Sequence, residues 1–155
     1  MEGRGEGLRF LADNMLGRLT RFMRIMGYDT TYPNLDEDDI FLINLSREEE
    51  RILLTRDKLL SIRHKNSYLI TSDRINEQII QIVESFPPDR NKLFTRCTLC
   101  NGILVEGKYP CREEYHKAKI KNIKHCLSCG KCYWRGTHSE NVIGYLENLG
   151  IYNES

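Results

Sequence analysis

Apolar residues follow two alternating rhythms through the first half of the chain. Leu8-Arg9-Phe10-Leu11-Ala12 is a short apolar run that stops at Asp13, as a strand would. Met15, Leu16, Leu19, Phe22, Met23 and Met26 then recur at helical spacing, and Gly27 can supply a left-handed helix cap. Tyr28 to Tyr32, rich in Thr and Tyr, predicts a second strand ended by Pro33. Asp38 and Asp39 lead into Ile40, Phe41, Leu42, Ile43 and Leu45, a helix with acids in its first turn. Ile52-Leu53-Leu54-Thr55 and Ser67-Tyr68-Leu69-Ile70-Thr71 are runs suited to strands buried on both faces. Ser72 or Asp73 can cap a following helix with Ile75, Ile79, Ile80, Ile82, Val83 and Phe86 on its apolar side, stopped by Pro87-Pro88. Strands alternating with helices predict an α/β fold with a mostly parallel sheet covered by helices.

Pro87 to Lys92 reads as a linker, beyond which the periodicity fades and cysteine pairs take over. Only Ser139 to Leu149, with Val142, Ile143, Leu146 and Leu149, returns to helical spacing. The expected division is an α/β domain over residues 1–90 and a cysteine-rich segment with a C-terminal helix over 91–155.

A chain of 155 residues suits that division, one domain with a small satellite. Its 40% hydrophobic and 29% charged residues, with a mean hydropathy of −0.51, are ordinary for a globular protein and argue against disorder. No window is apolar enough to span a membrane, and the first residues lack the apolar core of a secretory signal, so a cytoplasmic protein is expected. The net charge of +1 excludes a strongly basic, histone-like chain. It also conceals a division: residues 34–50 carry a local charge of −6, and residues 96–135 a local charge of +6.

All six cysteines lie in the basic segment. Cys97-Thr98-Leu99-Cys100 and Cys126-Leu127-Ser128-Cys129 are two C-x2-C pairs with 25 residues between them. Tetrahedral Zn2+ needs four soft ligands, and each such turn offers two thiolates with backbone amides to offset their charge. Structural zinc on Cys97, Cys100, Cys126 and Cys129 is therefore expected, as a staple for a piece too small to build its own core. Disulfides are the alternative, disfavoured without an export signal. Cys129-Gly130-Lys131-Cys132 is also a C-x2-C; Cys126 and Cys129 are the favoured ligands, which leaves Cys132 as a buried or spare thiol and Cys111 as a free one. His116, His125 and His138 suit surface roles.

The carboxylates carry a second signal. Asp13 ends the first strand, Asp57 follows the third, and Asp38 and Asp39 open a helix. Ligands of open parallel sheets bind beyond the carboxyl ends of the strands, where Asp13 and Asp57 should share one edge and Asp39 can join them. Clustered carboxylates suit Mg2+ or Mn2+, which can activate water and clamp a phosphodiester. The alternative makes Asp13 and Asp39 helix caps and Asp57 a turn residue. Asp73 lies in a capping segment and is a weaker candidate. Arg18, Arg21 and Arg24 follow Asp13 on one drifting helix face, and Arg56 and Lys58 flank Asp57, as a polyanionic substrate would require.

Together these segments resemble a known family. Phe10-Leu11-Ala12-Asp13-Asn14-Met15-Leu16-Gly17-Arg18-Leu19, then Arg24 and Gly27-Tyr28-Asp29-Thr30, are similar to the opening of the PIN-like ribonuclease module at the C-terminus of the mutator-seven exonuclease family. That module also occurs as a free-standing small prokaryotic protein. Arg51-Ile52-Leu53-Leu54-Thr55-Arg56-Asp57 resembles its central motif. Cys97-x2-Cys100-Asn101-Gly102, Cys126-x2-Cys129-Gly130 and Tyr133-Trp134-Arg135-Gly136-Thr137-His138 resemble its appended zinc ribbon.

The resemblance implies a PIN-like three-layer domain followed by a small zinc ribbon, and metal-dependent cleavage of RNA. It places Asp13 and Asp57 on the family's acidic positions, with Asp39 as the helical acid and Asp38 as its alternative. The expected enzyme is a single-strand-directed ribonuclease using Mg2+ or Mn2+ on Asp13, Asp39 and Asp57. Arg18, Arg21, Arg24, Arg56 and Lys58 would position phosphates. The ribbon would assist RNA binding through Lys117, Lys119, Lys121, Lys124 and Arg135, with Trp134 either stacking a base or packing the ribbon onto the first domain. Two other classes compete: a non-catalytic RNA-binding or ribosome-associated factor on the same scaffold, and the toxin of a toxin–antitoxin pair.

Overall fold

The computed structural model describes residues 7–33, 36–107 and 123–152. Cys111, His116, Lys117, Lys119 and Lys121 lie outside the described residues. Strands β1 (Arg9–Ala12), β2 (Asp29–Thr31), β3 (Ile52–Thr55) and β4 (Ser67–Leu69) form one parallel sheet in the order β2-β1-β3-β4. Both faces are covered because the short strands are apolar at successive positions. Phe10, Ala12 and Leu54 enter one core, and their neighbours Leu11 and Leu53 enter the other.

Helices α1 (Gly17–Ile25) and α4 (Ile75–Ser85) pack on the first face through Leu19, Met23, Ile79 and Ile82. Helices α2 (Asp39–Glu49) and α3 (Lys58–Arg63) pack on the second through Leu42 and Leu60. The expected three layers are present. Helix α5 (Thr137–Asn148), grouped with the ribbon on sequence grounds, packs in the first core. Its apolar stripe includes Val142, Tyr145, Leu146 and Leu149, and the rings of Phe22 and Tyr145 lie 5.2 Å apart.

The linker expected at 87–92 contains a short 3-10 turn, Arg90–Lys92. Gly27 ends α1 with φ of +96°, and a Cβ there would come within 2.4 Å of the Lys92 carbonyl oxygen. Only glycine satisfies both conditions. Beyond the turn, β5 (Leu104–Glu106), β6 (Lys124–Cys126) and β7 (Cys132–Tyr133) form a separate antiparallel sheet.

Carboxamides occupy both edges of the parallel sheet. At β4, Gln81 from α4 donates Nε2–H to the Leu69 carbonyl (2.8 Å) and accepts from Thr71 N (3.1 Å). At β2, the Thr30 N–H donates to Asn101 Oδ1 at 3.0 Å.

One buried polar contact makes stability depend on pH. His64 is 4% exposed, and its Nε2 lies 2.8 Å from Ser46 Oγ. The Ser46 hydroxyl donates to the Arg51 carbonyl, so the imidazole is the donor between the two. Burial, with Arg47 nearby, lowers the His64 pKa below its ordinary value. The folded state therefore keeps the ring neutral to a lower pH than the unfolded chain does. Stability should be level above pH 7 and decline as pH falls below about 6.5, where the unfolded histidine takes up a proton. Urea midpoints between pH 7.5 and 5 should show this slope, and His64→Gln should flatten it.

Candidate active site and metal centre

The topology creates a crevice. β1 leads into α1 on one face of the sheet, and the adjacent β3 leads into α3 on the other. Parallel neighbours whose connections diverge leave an opening beyond their carboxyl ends. Asp13 follows the end of β1, and Asp57 lies two residues beyond β3.

Asp13 is 5% exposed, and both its carboxylate oxygens are held. Oδ1 accepts from Met15 N at 3.0 Å, and Oδ2 accepts from the Thr55 hydroxyl at 2.5 Å. Thr55 Oγ1 in turn accepts from Asp57 N at 3.0 Å. A single hydroxyl thus joins the Asp13 carboxylate to the Asp57 backbone. Asp57 is exposed and caps α3, accepting from Leu59 N (2.9 Å) and Leu60 N (3.2 Å) through Oδ1. Thr55 was not singled out in the sequence, where it reads as the last residue of an apolar strand.

The helical acids are otherwise engaged. Asp38 caps α2 by accepting from Phe41 N at 2.9 Å. Asp39 pairs with Arg63 at 3.3 Å. Asp13, Asp39 and Asp57 do not form a group with ligand atoms all within 4.8 Å; among the described residues only four cysteines do. Asp39 is half-exposed, and its Oδ2 faces Arg63. Asp36 instead approaches the start of the crevice, accepting from Asn14 Nδ2 at 3.2 Å, one residue past Asp13. Asp73 is exposed and does not cap α4; its neighbour Ser72 accepts from Arg74 N.

The basic residues separate into groups. Arg18, Arg21 and Lys58 are exposed. Arg56 is half-buried, and its Nε is buried without a hydrogen-bond partner. Arg24 does not belong to the exposed stripe. It is 5% exposed and donates to the Thr30 carbonyl (2.9 Å) and the Thr98 carbonyl (3.0 Å). Burial lowers its pKa, while the charges of Cys100 and Cys97 act to raise it. The drift of an i, i+3, i+6 series carries the third arginine around the helix and inward.

In the second sheet, the Sγ atoms of Cys97, Cys100, Cys126 and Cys129 lie within 4.8 Å of one another. Cys97 and Cys129 are 3.7 Å apart, and Cys100 and Cys126 are 3.5 Å apart. A Zn–S bond of about 2.3 Å gives a tetrahedron with edges of about 3.8 Å. The donor set and its spacing fit a zinc ribbon. Leu99 N donates to Cys97 Sγ, Ser128 N donates to Cys126 Sγ, and the Tyr133 hydroxyl lies 3.0 Å from Cys97 Sγ. A Cβ on Gly102 would sit 2.6 Å from Cys126 Sγ. Burial opposes ionisation of Cys126, but the N–H groups of Cys129 and Ser128 outweigh it and bring its pKa to about 7. Burial pushes Cys100 up to about 12. Four sulfurs this close cannot all ionise without a cation among them.

Cys132 is buried, as expected. His125 is half-buried, with Nδ1 2.9 Å from the Gly107 carbonyl oxygen, and His138 is exposed. Lys124 donates to the Phe94 carbonyl at 3.0 Å. Trp134 is 38% exposed, and the Arg135 guanidinium lies 5.6 Å from the centre of the Phe94 ring.

The ribbon is joined to β2. Asn101, immediately after Cys100, donates Nδ2–H to Asp29 Oδ1 at 2.8 Å while capping Thr30. Arg51 reaches Asp29 Oδ1 at 2.8 Å, and Arg96 reaches its Oδ2 at 3.7 Å. Burial pushes Asp29 up, but the Asn101 amide and the two guanidiniums outweigh it and hold the carboxyl below its ordinary pKa.

A parallel sheet covered by helices, with a separate antiparallel sheet carrying four cysteines, defines an α/β protein with a zinc-ribbon-like element. Residues 8–146 match the model of the Mut7-C RNAse domain, and the chain belongs to that family. The membership supports a ribonuclease-type function. No curated protein and no solved structure matched the chain. Among the described residues no helix is long and apolar enough to cross a membrane.

Proposed function

We propose that the protein hydrolyses phosphodiester bonds of single-stranded RNA at the β1/β3 crevice, using Mg2+ or Mn2+ held by Asp13 and Asp57. The carrying observation is the hydrogen-bonded series from Asp13 through Thr55 to Asp57. Two acids on neighbouring strand ends suit a hard divalent ion that keeps water in its remaining positions. Such an ion supplies activated water and charge neutralisation at the phosphate. Asp13 and Asp57 hold it, and Thr55 ties the Asp13 carboxylate to the Asp57 backbone. Asp39, whose Oδ2 faces Arg63, is the third candidate acid. Arg56 and Lys58, on either side of Asp57, put positive charge where a phosphate would lie at this edge.

Zn2+ on Cys97, Cys100, Cys126 and Cys129 organises the ribbon, which adds RNA contacts through Arg135 and Trp134. With Arg18, Arg21, Lys58 and Arg135 as the phosphate contacts, the log–log salt slope should be about −3, or roughly 50-fold weaker binding between 50 and 200 mM salt. Fluorescence anisotropy with a labelled oligonucleotide checks it; affinity indifferent to salt counts against those contacts.

The test of function is cleavage of an unstructured RNA by the full chain with Mn2+, with Mg2+ or with excess chelator. Divalent-dependent scission that Asp57→Asn removes supports the reading. The Asp39–Arg63 pair favours one other reading, a non-catalytic RNA-binding factor, because it leaves only two acids at the crevice. Binding without scission under every condition selects that reading.

A further inference from the structure

Arg24 presents a problem of charge. Its guanidinium is buried, and its hydrogen bonds go to two backbone carbonyls, of Thr30 and Thr98. Among the described residues no carboxylate lies within ion-pair distance of it. Neutral carbonyls satisfy its donors but do not balance its charge, and buried cations are ordinarily paired. The Asp29 carboxylate acts on it from beyond ion-pair distance and is itself held by Arg51, Arg96 and Asn101, whereas the second carbonyl points to a nearer anion. Thr98 lies between Cys97 and Cys100, inside one of the two cysteine turns. Four thiolates around Zn2+ carry a net charge of about −2, which a protein must offset from outside the ligand shell. Arg96, the other arginine beside these turns, is already directed at Asp29 and the Asn101 carbonyl.

We propose that Arg24, supplied by α1 of the α/β domain, is the counter-charge of the zinc–tetrathiolate centre, so that metal affinity depends on the docking of the ribbon. The proposal rests on zinc occupying the four cysteines. Coupling of this kind is reciprocal: if Arg24 strengthens zinc binding, zinc holds the ribbon against α1 and β2 by the same factor. Arg24 touches no ligand sulfur in the structure; it acts through the turn that carries two of them.

The test is zinc affinity of the full chain, measured by competition with a chromophoric chelator, with folding followed by circular dichroism. Arg24→Met removes the charge and the donors. Arg24→Gln keeps a donor but not the charge, and Arg24→Lys keeps the charge but not the fork. Affinity should fall about tenfold or more in Arg24→Met and Arg24→Gln, and clearly less in Arg24→Lys. If Arg24→Met does not fold, the comparison of Gln with Lys decides. Arg24→Gln binding as tightly as Arg24→Lys, or Arg24→Met within twofold of wild type, overturns the proposal while leaving the zinc site intact. Wild-type protein that takes up no zinc overturns both.

Discussion

Asp57→Asn should yield a folded protein that has lost roughly 10²–10⁴-fold of its divalent-dependent cleavage of single-stranded RNA. The structural effect is small because asparagine caps helices about as well as aspartate, so the bonds from Leu59 N and Leu60 N to the side-chain oxygen can persist. The chemical effect is large because a carboxamide carries no charge for a hard cation. Asp13→Asn should lose comparable activity at a greater structural cost. Its buried side chain would present an N–H donor to one of its two present donors, Met15 N or the Thr55 hydroxyl. Single-turnover cleavage beside thermal melts separates the cases: Asp57→Asn keeps its melting point, and Asp13→Asn lowers it. RNA affinity should change little in either. Cleavage by Asp57→Asn at the wild-type rate removes this carboxylate from the chemistry.

Stripping zinc is the second large effect. A strong chelator at pH 7, or Cys126→Ser, should cost about 3–5 kcal/mol, equivalent to a melting point lower by roughly 10 °C or more. The apolar cluster of Cys97, Leu104 and Cys126 is too small to hold the ribbon without its centre. Loss should extend to β2, because the Thr30 amide and Asp29 are bound by Asn101 beside the cysteines. Hydrogen exchange should show Thr30 losing protection with the ribbon while Leu53 and Leu54 in β3 retain theirs. An unchanged melting point after verified metal removal would show that the ribbon stands by packing alone.

The larger fold is legible in the chain because its strands and helices differ in period and each carries enough apolar residues to show it. Phe10, Leu11 and Ala12 announce a strand covered on both faces, and Leu19, Met23 and Met26 announce a helix with one buried side. α3 escapes because six residues anchored by Leu60 are too short for a period to emerge. The ribbon strands, of two or three residues, escape for the same reason. The cysteine cluster is legible because local turns fix its spacing. The acidic site is only half legible: strand ends locate Asp13 and Asp57, but nothing local reveals Arg63 beside Asp39 or the hydroxyl of Thr55 between the other two. Arg24 is misleading for a related reason, since its partners lie in distant segments.

The carboxamides of Gln81 and Asn101 stand where the peptide groups of further strands would otherwise come. A guarded edge denies other chains a template for strand addition. The two guards are not equally secure. Gln81 is anchored on a helix of the main core, whereas Asn101 is held out by a cysteine turn. Metal loss would therefore free the Thr30 N–H of β2, whose carbonyl stays bound to Arg24, and leave β4 covered. The consequence concerns solubility: chains starved of zinc during synthesis would present β2 as the weaker edge before they lost their globular core, and zinc supply would bear on how much soluble protein a cell recovers.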